Sequence, residues 1–241
     1  MSYKSTTDRL FEQYNTYIQR PTIENSRSKK LIYQYFQRIL NPWLPVDRSA
    51  RILDVGCGEG ALIAFLKEKG YTNLSGFDIS PQNVAICHRL GFKFVQQLDV
   101  LQLKQDPRAE RYDVIFAIDI LEHLPKQAAA QFLEQIRKQL KPGGYVVVQT
   151  PNMGSVFGCL YRYADLSHEF GLTEHSAVSL LTIAGFAAEK VEIKPSWNAS
   201  TFLGYLREAY LRVLHQVIFL AEGAGCPKIP TKNLLMRAFN S

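Results

Sequence analysis

The heptapeptide Asp54-Val55-Gly56-Cys57-Gly58-Glu59-Gly60 constrains the fold of this chain more than any other feature. It overlaps the short apolar run Arg51-Ile52-Leu53-Asp54-Val55, which suits a buried strand. It precedes residues 61–69, which read as a helix closed by Gly70. Glycines between a strand and a helix let the backbone approach a ligand closely, at φ values other residues resist. The helix beyond offers unpaired N–H groups and the positive end of its dipole. A dinucleotide site would use the spacing GxGxxG to seat a pyrophosphate. Here the spacing is GxGxG, and Glu59 inside the loop would repel a pyrophosphate. A ligand without phosphates fits better, and a dehydrogenase is disfavoured.

The alternation of strand and helix continues downstream. Residues 74–78 read as a second strand and 81–90 as a helix, with Ser80 as N-cap and Pro81 at the first helical position. Residues 92–96, 112–118 and 145–149 read as strands three to five. A helix at 127–140 and the turn Lys141-Pro142-Gly143-Gly144 precede the fifth strand. A helix at 173–185 capped by Thr173, a strand at 191–194 and a last strand at 234–239 complete the pattern. Such alternation implies a parallel sheet with both faces covered, and ligands at the carboxyl ends of its strands.

Two segments stand outside this pattern. Near the start, the aromatics Tyr3, Phe11, Tyr14 and Tyr17 are followed by the break Arg20-Pro21 and by a capped amphipathic helix over 25–40. Residues 201–221 read as a strongly apolar helix with the polar stripe Gly204, Glu208, Arg212 and Gln216. That helix packs on the sheet or in a homodimer interface, or it lies at a membrane surface or lines a channel for a lipid-linked substrate. The organisation read from the chain is a helical cap at 1–48, a ligand-binding core at 49–194, a helical insertion at 195–232 and the last core strand at 233–241.

The net charge of +6 sits on the flanks: residues 1–50 carry +4, 191–241 carry +3 and the middle carries −1. Basic flanks suit phosphates, acidic metabolites or an anionic surface as well as ordinary solubility. There is no basic run and no repeat, so no nucleic-acid partner is expected. With 46% hydrophobic and 21% charged residues, the composition excludes disorder, collagen and coiled coil. Apolar stretches fall short of the roughly 18–20 residues that span a bilayer, and the first residues lack the apolar core of a signal peptide. Four cysteines without metal spacing fit a reduced, cytoplasmic protein.

Asp78 ends the second strand, where a carboxylate can accept both ribose hydroxyls of a nucleoside. Asp99 follows the third strand, within reach of an adenine amino group, although a surface carboxylate would look the same. With the glycine loop, Asp113–Leu124 and Lys141-Pro142-Gly143-Gly144, these residues resemble the class I S-adenosylmethionine-dependent methyltransferases over about residues 50–190. The resemblance implies a Rossmann-like, doubly wound α/β fold with seven mostly parallel strands and an antiparallel last strand at Asn233–Phe239. It implies S-adenosylmethionine as cofactor. Asp54, Gly56, Cys57, Gly58 and Gly60 would lie at its methionine part, Asp78 with Ile79 at the ribose, Asp99 with Val100 at adenine, and Ile118 beside it. Thr150-Pro151-Asn152, Asp165-Leu166-Ser167-His168, Leu172-Thr173 and Ala184-Gly185-Phe186 resemble small-molecule methyltransferases of the ubiquinone-biosynthesis type and those that modify sugars.

Methyl transfer from a sulfonium is an in-line displacement, so the enzyme chiefly aligns the acceptor and excludes water. A hydroxyl acceptor also benefits from a base, and histidine suits that role. His123, after the fourth strand, and His168, in the loop after the fifth, are the catalytic candidates. A structural role for His123 and a capping role for His168 stand beside that reading. His175 reads as a surface residue, and Asp119 as a ligand of substrate or metal. No metal is expected, because Asp119, His168 and Glu169 lack compact ligand spacing. The expected reaction is methylation of a hydroxyl on a small molecule such as a sugar or lipid-linked precursor. A quinone or phenol acceptor would need a more apolar, aromatic pocket, and a non-catalytic cofactor-binding regulator is the reading of another class. Asp119-Ile120-Leu121-Glu122 replaces the motif of amino methyltransferases that modify bases, which argues against a nucleobase substrate.

Overall fold

Strands β1 (Ile52–Val55), β2 (Leu74–Asp78), β3 (Gln96–Gln97), β4 (Tyr112–Ile118), β5 (Leu140–Pro151), β6 (Val191–Pro195) and β7 (Asn233–Phe239) form one sheet in the order β3-β2-β1-β4-β5-β7-β6. The computed structural model describes residues 22–102, 111–223, 225 and 227–240. The aromatics of the first twenty residues, the Arg20-Pro21 break and Cys226 lie outside the described residues. Pairing is parallel from β3 through β5, whereas β7 runs antiparallel to both β5 and β6. The strand order reverses between β1 and β4, so their carboxyl ends flank the crevice where open α/β sheets bind ligands.

The helices are α1 (Ser26–Ile39), α2 (Ala61–Glu68), α3 (Pro81–Arg89), α4 (Lys126–Gln139), α5 (Gly158–Tyr163), α6 (Glu174–Ile183) and α7 (Phe202–Ala221). Their starts follow local chemistry. The Asn25 side chain accepts from the backbone N–H of Arg27 and Ser28 (both 3.0 Å), Ser80 caps α3, and Thr173 forms a capping box with Ser176. All four residues of β1 are buried, because a central parallel strand is covered on both faces. Leu53, Val55, Ile115 and Val146 turn to one face and meet Ala129, Phe132, Leu133 and Ile136 of α4. Ile52, Val114, Phe116 and Val147 turn to the other face and meet Phe36 and Ile39 of α1 and Leu62, Phe65 and Leu66 of α2.

Three expectations need correction. The strand expected at 92–96 contracts to Gln96–Gln97, because Phe92 and Val95 turn into a core cluster with Ile63, Val84 and Cys87. Lys141–Gly144 is not a separate turn but an irregular stretch inside β5. Its pairing with β4 shifts register between Tyr112 and Val114, and Gly143 takes φ +77°. Asn240 stitches this stretch down: its amide donates to the carbonyls of Leu140 (3.1 Å) and Lys141 (3.2 Å). The stripe expected on α7 is also different. Only Glu208 and His215 of its twenty residues are buried, while Arg212 and Gln216 are exposed. A strict four-residue spacing drifts about 40° per step around a helix, so the inward line runs through Gly204, Glu208, Leu211 and His215 instead. Among the described residues no helix is long and apolar enough to cross a membrane.

Candidate active site

The glycine loop leaves β1 at the reversal of strand order, and Gly56, Gly58 and Gly60 hold φ values of +64°, +53° and +80°. A Cβ on Gly56 would come within 1.9 Å of Ile120 Cδ1, whereas a Cβ on Gly58 would meet nothing within 4 Å. Gly56 therefore allows the segment after β4 to pack on the loop, and Gly58 leaves open space above it. Asp54 is 3% exposed, and its Oδ2 has no hydrogen-bond partner. Burial, followed by the charge of Asp78, pushes its carboxyl well above the usual carboxylate range. A buried, unpartnered carboxylate is costly on its own and suits a cationic group of a ligand. The ammonium of S-adenosylmethionine fits that requirement.

Asp78 is more heavily engaged than the sequence indicates. Its Oδ2 accepts from Gly58 N (2.8 Å), and its Oδ1 accepts from Ser80 N (2.9 Å) and Asn83 Nδ2 (3.0 Å). It thereby ties the glycine loop to the start of α3. Ile79, beside it, is exposed. Leu98 N donates to Asp78 O (3.0 Å), which leads the chain to Asp99. Asp99 Oδ1 accepts from Leu101 N (2.9 Å), and Val100, in a short turn of 3-10 helix, packs on the core. Ile118 ends β4, half-buried. Cys57 is buried, and the neighbouring Cys87 thiol together with burial raises its thiol pKa.

His123 and His168 are brought together, with ring centroids 4.8 Å apart and edge to face. Ser167 gives its hydroxyl proton to Asp165, so the 2.9 Å contact between His123 Nδ1 and Ser167 Oγ is donated by the histidine. His168 Nδ1 lies 3.1 Å from the Tyr161 carbonyl, which only accepts. In the neutral form of each ring Nε2 is thus the basic nitrogen. Burial holds the His168 pKa below its ordinary value. Glu122, whose Oε2 accepts from Thr150 Oγ1 (3.0 Å), joins them: ligand atoms of Glu122, His123 and His168 lie within 4.8 Å of one another. This set could hold a divalent ion. Glu169, considered with Asp119 and His168 from sequence, is not part of it. His175 is exposed, as expected.

Asp119 takes the one positive φ (+55°) of any non-glycine among the described residues. Strain of this kind costs about 1–3 kcal/mol and gathers at functional sites. Gln149 Nε2 donates to Asp119 Oδ1 (3.0 Å), and Tyr35 Oη donates to Gln149 Oε1 (2.5 Å). Asp119, Gln149 and Tyr35 line a cavity of about 640 Å³ together with Ser155, Trp197, His215 and Asn233. Its neighbour Ile120 touches the glycine loop, so loop and cavity adjoin. Ser155 Oγ, His215 Nε2 and Asn233 Oδ1 are buried without hydrogen-bond partners. Neither His123 nor His168 lines this cavity. The sequence reading missed Tyr35, Gln149, Ser155, Trp197, His215 and Asn233 as site residues. Only Gln149 carried a signal, as the polar end of the run Val146-Val147-Val148.

A family model described as a methyltransferase domain matches residues 27–216. The chain is 29% identical over 180 residues to the ubiquinone biosynthesis O-methyltransferase of Xylella fastidiosa strain M23, covering 65% of this chain and 72% of that protein. It is 37% identical over 108 residues to the protein of the same description from Marinobacter nauticus, covering 42% of this chain and 44% of that one. Its fold is similar to that of a SAM-dependent methyltransferase from Archaeoglobus fulgidus. The TM-score is 0.67 and the identity 23%, with 88% of this chain and 94% of that chain covered. With the glycine loop, the reversed strand order and the antiparallel β7 in place, the chain belongs to the methyltransferase-domain family and is a class I S-adenosylmethionine-dependent methyltransferase.

Proposed function

We propose that this enzyme methylates a hydroxyl of a polar, hydroxyl-rich small molecule, such as a sugar, seated in the cavity beside Asp119. The observation that carries this reading is the trio Ser155 Oγ, His215 Nε2 and Asn233 Oδ1, three buried polar atoms without partners on one cavity. Each unsatisfied buried group costs about 1–3 kcal/mol, and the hydroxyls of an acceptor would satisfy them. Tyr35 and Trp197 supply flat apolar surfaces for a ring. A quinone or phenol acceptor is the second reading. The similarity to ubiquinone biosynthesis O-methyltransferases and the aromatic lining favour it, but such a ring would leave more of the three atoms unpaired.

S-adenosylmethionine supplies a methyl group on a sulfonium, already activated for displacement. Asp54 and the glycine loop would hold its amino-acid part, and Asp78, Ile79, Asp99 and Val100 its nucleoside. Asp119 acts on the acceptor. Its Oδ1 is fixed by Gln149, itself fixed by Tyr35, and its Oδ2 has no protein partner among the described residues. Oδ2 orients the acceptor hydroxyl and takes its proton as the methyl is transferred. His123, buried, and His168, half-buried, stand behind this site as a packed pair that holds the loop after β5 against the segment after β4.

The test is release of S-adenosylhomocysteine with a panel of sugars, sugar nucleotides and catechols, using wild type, Asp119→Asn, His168→Ala and Asn233→Ala. Asp119→Asn should lower kcat about 10²–10³-fold while leaving S-adenosylhomocysteine binding intact. Asn233→Ala should raise KM with little change in kcat. Turnover of catechols alone, or a larger kcat loss in His168→Ala than in Asp119→Asn, would overturn the assignment.

A further inference from the structure

Helix α7 is inside out relative to an ordinary covering helix. Its buried side chains are Glu208 and His215, and the Glu208 carboxylate is bound by Arg38 (2.7 and 3.0 Å) and by Ala199 N (2.6 Å). Its large apolar side chains face away. Phe202, Leu206, Tyr210, Val213, Val217 and Leu220 are half to four-fifths exposed. At 3.6 residues per turn these six fall on one arc, and Arg207 and Arg212 lie roughly 100–120° to either side of its centre. Twenty residues make this strip about 30 Å long.

Charge chooses between occupants of the strip. Arg207 reaches only Asn198 Oδ1 (3.2 Å), and Arg212 lies over the Trp197 ring (4.8 Å). Among the described residues neither pairs with a carboxylate. Glu208 is neutralised internally, so the exposed charges of the helix body are positive alone, one on each flank of the apolar strip. A second copy of this chain would bring two more unpaired arginines and no exposed carboxylate within the helix body to meet them. An anionic bilayer offers what the strip lacks: phosphates for arginines snorkelling from its flanks and an acyl boundary for the aromatic and aliphatic side chains between them. We infer that α7 lies flat on anionic lipid and docks the enzyme peripherally on a membrane.

The experiment is sedimentation of the full chain with phosphatidylcholine vesicles, and with vesicles in which a third of the lipid is phosphatidylglycerol. Wild type, Leu206→Glu/Val213→Glu and Arg207→Ala/Arg212→Ala are compared, with sedimentation velocity of each without lipid. Both pairs are exposed, so melting temperatures should match wild type; Arg207→Ala and Leu206→Glu alone serve if a double variant unfolds. Wild type should bind the anionic vesicles and release them at high salt. The apolar double variant should lose about tenfold or more in partition coefficient, and the arginine variant about fivefold per arginine. Failure of wild type to bind, or binding unchanged in both variants, overturns the inference. So does a wild-type dimer that the same substitutions dissociate, which would assign the strip to a second copy.

Discussion

Helices α2 and α7 read alike in sequence as apolar and differ completely in the fold. Five consecutive residues of α2, Leu62 to Leu66, are buried: Leu62, Phe65 and Leu66 against the sheet and α1, Ile63 and Ala64 in the cluster with Val84 and Cys87 of α3. In α7 the two buried residues are a carboxylate and a histidine. The difference lies beneath each helix. Under α2 is the apolar face of a parallel sheet, which draws hydrocarbon inward. Under α7 is a cavity with buried, unpaired polar atoms and the Arg38 guanidinium beside it, which draw in groups able to hydrogen-bond and leave the hydrocarbon outside. Apolar content thus sets how much surface a helix must hide, not the direction in which it hides it.

That contrast can be broken in several places. The largest effect should come from Leu66→Ala in α2, a fully buried position, at about 2–5 kcal/mol in denaturant unfolding. In α7 the sensitive residue should instead be polar. Glu208→Ala leaves Arg38 without its partner and should cost about 3 kcal/mol, toward the low end for buried pairs because Arg38 remains 27% exposed. A Glu208→Met/Arg38→Met pair should recover most of that loss in the same unfolding curves. If Glu208→Ala is silent, the polar underside does not anchor α7.

A ligand-sized effect comes next. S-adenosylmethionine and S-adenosylhomocysteine at about 100 times Kd should add about 2.7 kcal/mol, or roughly 5–10 °C in Tm, and NAD should add nothing. Asp54→Asn should abolish that shift while raising the Tm of the ligand-free protein. The sign follows from the raised carboxyl of Asp54. In the ligand-free fold the native state holds a proton that the unfolded chain releases near pH 4. Stability therefore declines as pH rises from about 4 toward the raised native value. Asp54→Asn should flatten this part of the pH–stability profile. The smallest effect should be Leu206→Ala on α7, within about 0.5 kcal/mol of wild type in lipid-free buffer.

Much of the glycine-loop side of the fold was legible because its signals are local. Helix starts at Asn25, Ser80 and Thr173 depend on side chains bonding backbone two or three residues away, and the glycine loop depends on φ values at three positions. Asp78 was legible as a strand-end acid, but its three protein donors were not, because they come from the loop and α3. The cavity beside Asp119 was hardly legible. Tyr35, Gln149 and Asn233 come from α1, β5 and β7, and nothing in their spacing brings them together. Asp119 could be singled out as a residue, while its left-handed backbone conformation could not.

By itself the amino-acid order determined the alternation of strands and helices, the glycine loop and its acids, and hence the nature of the cofactor, since each rests on short-range periodicity or backbone preference. Tertiary structure alone decided which polar atoms would remain unpaired around the cavity beside Asp119. It also decided that Phe92 and Val95 would leave the third strand for the core, and that α7 would turn its carboxylate inward. Those outcomes depend on what lies opposite a side chain once distant segments meet, and desolvation and pairing energies have no value until that partner is in place.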